Sequence, residues 1–146
     1  MRDGALRTGY TCHDAFPSTH TNTQQIYWTL SEVARLGHRV ELVVPALRLA
    51  PSETPEATLA RHYGADSAHV PPTLRVVAAG GREPRTSLAK GRFDWTACAR
   101  FSRETHDLIW TRVPLALVQA VRRGLPVVFE TFRPDFAEAR TFAAWR

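Results

Sequence analysis

The sequence predicts an α/β protein, a single three-layer domain in which helices cover both faces of a mainly parallel sheet of about five or more strands. Apolar runs rich in β-branched residues alternate along the chain with segments of helical period. The continuous apolar character of these runs indicates cover on both faces of the sheet. The length of 146 residues, with 44% hydrophobic and 23% charged residues, fits one globular domain that buries its own core.

The first unit combines a strand, a helix and a second strand. Residues 7–12 are predicted as a strand, although Gly9 interrupts their β propensity. A helix follows the loop 13–21 and ends before Gly37, a residue suited to the position beyond a helix end. The run 40–44 is the second strand. The helix has one apolar face at helical spacing, formed by Ile26, Tyr27, Leu30, Val33 and Ala34.

A short helix and a third strand come next. Thr54 is followed by a proline and a glutamate, which predicts an N-cap and a helix that ends at Tyr63. The third strand is predicted at 74–79. The segment 80–92 has no apolar period, so we predict a surface loop there and a helix that begins at about Asp94.

Two further strands, 107–111 and 126–130, flank a helix that begins at Pro114 and ends near Gly124. A last helix is predicted from Asp135. No cap or stop signal follows it, and we therefore expect the domain to be truncated at its C-terminal end.

The charge distribution favours anionic partners. The formal charge is +5 and the pI is near 10.0, but no nucleic-acid-binding motif accompanies the charge, so nucleic acid is not an expected partner. The stretch 82–103 has two interpretations: a surface that lies on an anionic membrane, and a solvated loop before a helix with core aromatic residues, which we favour. Its basic and aromatic residues are Arg82, Arg85, Lys90, Arg92, Phe93, Trp95 and Phe101.

No apolar run is long enough to cross a bilayer, and the first ten residues contain no secretory signal. We expect a cytoplasmic protein, with contact at the inner face of the membrane as an alternative. Cys12 and Cys98 are expected to be reduced packing residues.

The predicted strand order locates a site. In the common doubly wound order, the first and fourth strands are neighbours and ligands bind beyond their carboxyl ends. Residues at the start of the first helix would favour an anion such as a phosphate, although any of them could instead cap the helix. The candidates from that helix start are His20, Thr21, Asn22 and Thr23. Those from the later strand ends are Arg112, Glu130 and Arg133.

Arg112 and Glu130 have a structural alternative, since an arginine at a strand end in apolar surroundings needs an anionic partner and Glu130 would serve. The histidines have no metal-binding spacing, so no metal is expected. His13 and His20 rank above the other histidines because their loop faces the predicted crevice. The motifs for dinucleotides, P-loops, serine hydrolases and zinc proteases are absent.

Two segments carry a resemblance that spans nearly the whole chain. LSEVARLGHRVELVVP, with Gly37-His38, and THDLIWTRVPLALVQAVRRGLPVVFET resemble the N-terminal domain of family-four glycosyltransferases of the GT-B fold. The resemblance implies a Rossmann-like domain that binds the acceptor, while a C-terminal domain absent from this chain holds the nucleotide-sugar donor. It also implies transfer of the sugar with retention and without a metal or other cofactor.

The chain departs from the family pattern at two places. His20 and Thr21 stand where many members carry a glycine pair. Phe132 stands where many members carry a histidine, and Arg133 is the residue expected to replace that histidine's polar contact. The expected function is the acceptor-side half of a glycosyltransferase in carbohydrate biosynthesis, inactive alone, with a glycan or lipid-linked acceptor. The alternative is a stand-alone α/β ligand-binding or interaction module without catalysis.

Overall fold

The computed structural model describes residues 4–64 and 71–130 and has the predicted α/β architecture. Five parallel strands form one sheet in the order β3-β2-β1-β4-β5, which is the doubly wound order expected from the sequence. The strands are β1 (Arg7–Thr11), β2 (Arg39–Val44), β3 (Leu74–Ala78), β4 (Leu108–Thr111) and β5 (Val127–Phe129). The helices are α1 (Thr21–Arg35), α2 (Pro55–Tyr63), α3 (Ser87–Cys98) and α4 (Pro114–Arg122). The Rossmann-like fold prediction is therefore confirmed.

Three helix ends follow the sequence signals closely. The Thr54 side chain accepts a hydrogen bond from the Ala57 backbone N–H at 3.2 Å, which caps α2 as predicted. Gly64 ends α2 with a φ of 73°, and Gly37 follows α1 with a φ of 91°. These positive φ values are ones that glycine adopts without a Cβ penalty, so the chain turns there into the next segment.

Helix α3 corrects the prediction of a loop over 80–92. The helix begins at Ser87 and not at about Asp94, and the Thr86 hydroxyl caps it by accepting from the Ala89 N–H at 3.2 Å. The inward face of α3 includes Asp94, which is buried. A charged residue on the face that packs against the sheet removes the apolar period by which a helix is recognised in a sequence.

The sheet has a hydrophobic core on each face. The first core packs α1 and α2 on the sheet through residues such as Tyr27, Leu30 and Leu59. The second packs α3 and α4 through residues such as Phe101 and Ala116. Cover on both faces explains why the strands are almost continuously apolar.

Gly9 of β1 lies against the second core. A Cβ at this position would lie 2.9 Å from Cε1 of Phe101 and 3.0 Å from Cδ1 of Ile109. The residue that weakened the strand prediction is therefore one that allows Phe101, just beyond α3, to approach the sheet closely.

The cysteines are packing residues, as expected: Cys12 and Cys98 are free and buried. Among the described residues, no helix is both long enough and apolar enough to cross a membrane. The helix predicted from Asp135 lies outside the described residues, as do Phe132 and Arg133.

Candidate functional site

The carboxyl ends of β1 and β4 lie side by side, and polar side chains from three parts of the chain meet there. β1 pairs with β2 on one side and with β4 on the other. Successive strands are therefore added in one direction from β1 to β3 and in the opposite direction from β4 to β5. This reversal leaves a crevice between the segments that follow the two strands. The predicted pairing of the first and fourth strands is thus confirmed.

The loop between β1 and α1 is held in place by hydrogen bonds to the loop after β2 and to α2. The Phe16 backbone N–H donates to the Ala46 carbonyl at 3.0 Å, and the Ser18 N–H donates to the Tyr63 hydroxyl at 3.1 Å. The His62 ring lies 3.2 Å from the Ser18 carbonyl. These contacts fix the entry into α1.

Thr23 belongs to this support. Its side chain is fully buried, and its hydroxyl donates to the His20 carbonyl at 2.8 Å and lies 2.9 Å from the Ser18 hydroxyl. The Thr23 hydroxyl is thus occupied within the loop. His20 and Thr21, by contrast, are exposed at the start of α1.

Among the described residues, no side-chain hydrogen bond caps the start of α1. His20 occupies the N-cap position in extended backbone, makes no side-chain cap hydrogen bond, and is followed by no acidic residue in the first turn. The sequence left open that one of the threonines or Asn22 caps the helix. The absence of a cap leaves the positive end of the α1 dipole facing the crevice.

Arg112 joins the three segments predicted to converge. Its Nε and Nη2 donate to the two carboxylate oxygens of Glu130 at 2.9 and 2.7 Å, and its Nη1 donates to the Asn22 side-chain oxygen at 2.8 Å. We call Asn22, Arg112 and Glu130 the Arg112 cluster. The ion pair anticipated as the structural alternative is therefore present, and it includes Asn22 as a third member.

The Arg112 cluster is partly shielded from solvent. The Arg112 side chain is 10% exposed and the Glu130 side chain is 29% exposed. Because the two form a bidentate pair, the positive charge of Arg112 is matched locally. The cluster thus presents an amide group and a carboxylate at the crevice. It differs from an unpaired arginine, whose positive charge would bind an anion directly.

Tyr10 and Trp110 lie near the carboxyl ends of β1 and β4 and pack with the first core. They are opposite each other in β1 and β4, and their rings meet edge to face with centroids 6.3 Å apart. The Tyr10 hydroxyl and the Trp110 Nε1 are buried without a hydrogen-bond partner in the described part of the chain. Burial raises the pKa of Tyr10, opposed by the nearby charge of Arg112. Tyr10 therefore keeps its proton and is a hydrogen-bond donor.

A second group of polar residues, His13 and Asp94, lies at the end of β1. The sequence analysis singled out His13 but not Asp94. His13 Nδ1 lies 2.7 Å from Oδ2 of Asp94, whose side chain is fully buried while that of His13 is 27% exposed. The other carboxylate oxygen of Asp94, Oδ1, has no hydrogen-bond partner among the described residues. The hydrogen bond that His13 donates to Asp94 raises the pKa of His13, burial opposes this, and the Asp94 charge adds to the rise.

The pairing partner of His13 was not predicted because 81 residues separate the two positions. One signal was present in the sequence: Asp94 falls between apolar residues of a helix, where a carboxylate needs a reason to be buried. The earlier ranking of His13 above most other histidines rested only on its loop.

The basic stretch 82–103 divides between core and surface. Phe101 is fully buried and Phe93 packs on the second core, which agrees with the favoured interpretation of its aromatic residues. Arg82, Arg85 and Lys90 border an open cavity of about 300 Å³ beside the crevice loops. Lys90 lies 4.0 Å from the Asp14 carboxylate.

Within residues 4–64 and 71–130, no group of three or more candidate ligands could hold a metal ion.

No protein-family model matches the sequence. No curated protein matches it at a significant level.

Proposed function

We propose that this chain is the acceptor-side half of a glycosyltransferase of the GT-B fold. The observation that carries the proposal is the Arg112 cluster, in which side chains from the start of α1 and from the residues directly after β4 and β5 meet at the carboxyl ends of the strands. In this proposal a second domain binds the nucleotide-sugar donor, and the crevice binds a glycan or lipid-linked acceptor. The resemblance in residues 107–112 and at Gly37-His38 supports the same assignment.

The chemistry of the cluster suits a neutral ligand with several hydroxyl groups. A sugar hydroxyl both donates and accepts hydrogen bonds, so it is satisfied by a carboxylate on one side and an amide or guanidinium on the other. Glu130 supplies the acceptor, and the side-chain N–H groups of Asn22, whose oxygen accepts from Arg112, supply the donors. Aromatic surface from Trp110, which is half-buried, adds an apolar contact of the kind that sugar rings use.

A phosphate on the acceptor has a separate place. The uncapped start of α1 has backbone N–H groups and a positive dipole end near His20 and Thr21. An acceptor that is phosphorylated or lipid-linked would set its phosphate there and its sugar against the Arg112 cluster. This division follows from the pairing of Arg112 with Glu130.

Saccharide binding to the purified 146-residue chain tests the proposal. A panel of neutral saccharides and sugar phosphates is titrated into ¹⁵N-labelled protein, and amide shifts are followed by NMR. We expect shifts in the loop after β1 and around Arg112 and Glu130, and loss of those shifts in Arg112→Gln. A panel in which no member binds, or binds only elsewhere, contradicts the proposal.

Arg7→Gln is the matched control. Arg7 makes the same kind of bidentate pair, with Asp107, through Nε at 3.1 Å and Nη2 at 2.9 Å. This pair joins the starts of β1 and β4, at the opposite edge of the sheet. The variant therefore removes an equivalent ion pair without touching the crevice, and we expect saccharide binding to be retained.

Sugar transfer separates the proposal from its alternative. Because the donor site belongs to the second domain in this proposal, the 146-residue chain should bind acceptor and transfer no sugar. Transfer by this chain alone would contradict that division of roles. Binding of a saccharide without transfer, even when a donor-binding domain is supplied, would favour a binding module.

Contact with an anionic membrane is part of the proposal for a lipid-linked acceptor. Arg82 and Arg85 are exposed, and Leu88 nearby is 84% exposed. Basic residues next to an exposed leucine favour contact with acidic lipid headgroups. Sedimentation with phosphatidylserine vesicles tests this, and we expect binding that weakens with salt; equal binding to neutral vesicles would contradict an electrostatic contact.

A further inference from the structure

We propose that the cavity bordered by Arg82, Arg85 and Lys90 binds a phosphate monoester, which is either a soluble compound or the headgroup of a membrane lipid. We call this feature the 82–90 cavity. The inference goes beyond the proposed function, because it requires neither the Arg112 cluster nor sugar transfer. Where the ester is a lipid headgroup, the inference rests on the membrane contact in the proposed function and gives that contact a specific ligand.

Two arginines of the 82–90 cavity have donors available for a ligand. Arg82 and Arg85 are exposed, and neither makes a hydrogen bond or an ion pair within the described part of the chain. A guanidinium group binds phosphate oxygens through paired N–H donors. Two guanidinium groups match a phosphate monoester, which carries about two negative charges at neutral pH, better than a carboxylate or a phosphate diester with one.

Glu83 is the acidic member of the cavity lining, and its charge is already matched. One carboxylate oxygen accepts from the Ala15 backbone N–H at 3.3 Å, and the other accepts from the Arg48 guanidinium. Because both oxygens have donors, Glu83 opposes a bound anion less than a free carboxylate would. The same contacts join the cavity to the loop after β1 and to the loop after β2.

The backbone before the two arginines is held at the end of β2. The Gly80 and Gly81 N–H groups both donate to the Pro45 carbonyl, at 3.1 and 2.6 Å. A Cβ on Gly80 would lie 3.1 Å from that oxygen, so glycine permits the close approach. On the other side, the Thr86 hydroxyl caps α3. Residues 82–85 thus lie between two fixed points, which lowers the entropy cost of bringing both arginines to one ligand.

Lys90 adds a third cation from the first turn of α3. Its ammonium lies 4.0 Å from the Asp14 carboxylate, which is beyond hydrogen-bond distance, and its side chain is 38% exposed. Its donors can therefore turn to a ligand in the cavity. The cavity volume of about 300 Å³ is at the lower end of the range for small-molecule sites, so it suits a ligand of headgroup size.

Titration with a soluble ester tests the site. Glycerol phosphate is added to the ¹⁵N-labelled 146-residue chain, and amide shifts are followed by NMR against sodium chloride at equal ionic strength. We expect saturable shifts in residues 82–90, and weaker binding of dimethyl phosphate, which is a diester. Saturable shifts confined to the start of α1 would overturn this site and leave the phosphate position of the proposed function standing.

Three variants separate a defined site from a general positive field. Arg82→Gln and Arg85→Gln should each weaken binding of the ester at least about tenfold, the value of one charge-assisted hydrogen bond. Both side chains are exposed and unpaired in the described structure, so the variants should fold. Arg92→Gln is the matched control, since Arg92 is exposed in the same stretch but does not line the cavity. Equal weakening in Arg92→Gln would overturn the site.

Vesicle binding distinguishes the two sources of the ester. Phosphatidic acid is a phosphate monoester and phosphatidylserine is a diester, so vesicles of the two lipids are compared at equal total charge. Stronger binding to phosphatidic acid that is lost in Arg85→Gln identifies a lipid headgroup as the ligand. Equal binding to both lipids, with a saturable response to glycerol phosphate, identifies a soluble ester.

The same experiments separate this inference from the proposed function. A chain that shows neither preference for phosphatidic acid nor saturable binding of glycerol phosphate would overturn the 82–90 site, while saccharide binding at the Arg112 cluster would still support the proposed function. Binding of the monoester by a chain that binds no saccharide would support this site and overturn the proposed function.

Discussion

At the scale of single residues, Arg112 shows how one side chain can organise a site. Its side chain is 10% exposed, and its hydrogen bonds to Asn22 and Glu130 link the ends of β4 and β5 with the start of α1. Charge-assisted hydrogen bonds of this kind contribute more to stability than neutral ones. The same contacts fix the orientation of Asn22 and Glu130 and hold the three segments together.

Arg112→Gln should therefore lower the free energy of unfolding by about 1–3 kcal/mol, because Glu130 loses a bidentate partner and Asn22 loses a donor. Urea denaturation measures the loss. Arg61→Gln is the control, since Arg61 pairs with Glu53 at 3.1 Å but is 62% exposed, and we expect a much smaller change. Equal losses in the two variants would show that the Arg112 cluster adds no stability beyond a surface pair.

The His13–Asp94 pair predicts a pH dependence of stability. The folded protein raises the pKa of His13 above the ordinary value, chiefly through the hydrogen bond to Asp94, so folding favours the protonated ring. Its contribution is fully present below the unfolded pKa of about 6.5 and is lost as the pH rises through the folded pKa. The stability difference between the wild type and His13→Gln should therefore shrink as the pH rises.

Urea denaturation of both proteins between about pH 6 and about pH 9 measures this difference. Comparison with the variant cancels the contribution of His106 to the pH dependence of stability. Burial lowers the pKa of His106, so its contribution has the opposite sign. A difference that grows with pH would contradict the sign.

At the scale of elements, α3 is a helix defined by its cap and its packing more than by an apolar face. Thr86 caps the helix start, and the buried residues Ala97 and Cys98 secure its second half. The first half follows a segment rich in glycine, proline and charge. The N-cap is therefore the local signal that sets where the helix begins.

Thr86→Ala should lower the free energy of unfolding by about 1 kcal/mol, because the Ala89 N–H loses its acceptor. Thr96→Ala on the same helix is the matched control. The Thr96 hydroxyl only donates back to the Arg92 and Phe93 carbonyls, so alanine should be neutral or slightly stabilising there. Backbone amide exchange of residues 87–90 measures the fraying of the first turn. Protection unchanged in Thr86→Ala would contradict the role of the cap.

At the scale of the whole molecule, the sheet and its two cores set the distance between the site groups. β1 carries the His13 loop, and α3 carries Asp94 on the face that packs against β1. The gap between α3 and β1 is narrow because Gly9 has no Cβ beneath Phe101. The packing of this one strand thus determines whether His13 and Asp94 meet.

Gly9→Ala should destabilise the fold by about 1–3 kcal/mol, since a Cβ 2.9 Å from a fully buried Phe101 ring forces the ring or the helix to move. The same shift should lower the pKa of His13 by lengthening its contact with Asp94. NMR titration and urea denaturation measure the two effects.

Gly91→Ala is the control for that substitution. Its Cβ would lie 2.7 Å from Leu115 Cδ1, but this atom is the end of a flexible side chain that is 44% exposed. Because alanine favours a helix more than glycine does, we expect Gly91→Ala to be neutral or stabilising. A Gly9→Ala protein as stable as Gly91→Ala would contradict the close-packing argument.

The sequence was sufficient for those features that depend on local pattern and strand order. Periodicity and caps located α1, α2 and α4, and the doubly wound order brought Asn22, Arg112 and Glu130 to one edge. The sequence did not predict in which direction the side chains at this edge point. Thr23, for example, proved to be buried and bonded within its own loop.

The contacts that were missed are long-range. His13 and Asp94 are 81 residues apart, and their meeting depends on how closely α3 packs on β1. The start of α3 was missed for a related reason, because Asp94 replaces an apolar residue on the packed face. Local hydrophobic pattern cannot detect a polar residue that is buried in order to hold a partner from elsewhere in the chain.

The hydrogen bonds that hold the loop after β1 have a kinetic consequence. Phe16 and Ser18 are fixed to the neighbouring loop and to α2, so the crevice groups are preorganised and no loop closure has to precede capture of a ligand. Association should then occur in a single phase limited by encounter, and affinity should vary between ligands through dissociation. Stopped-flow binding would show one concentration-dependent phase, whereas a slow phase independent of concentration would reveal an ordering step.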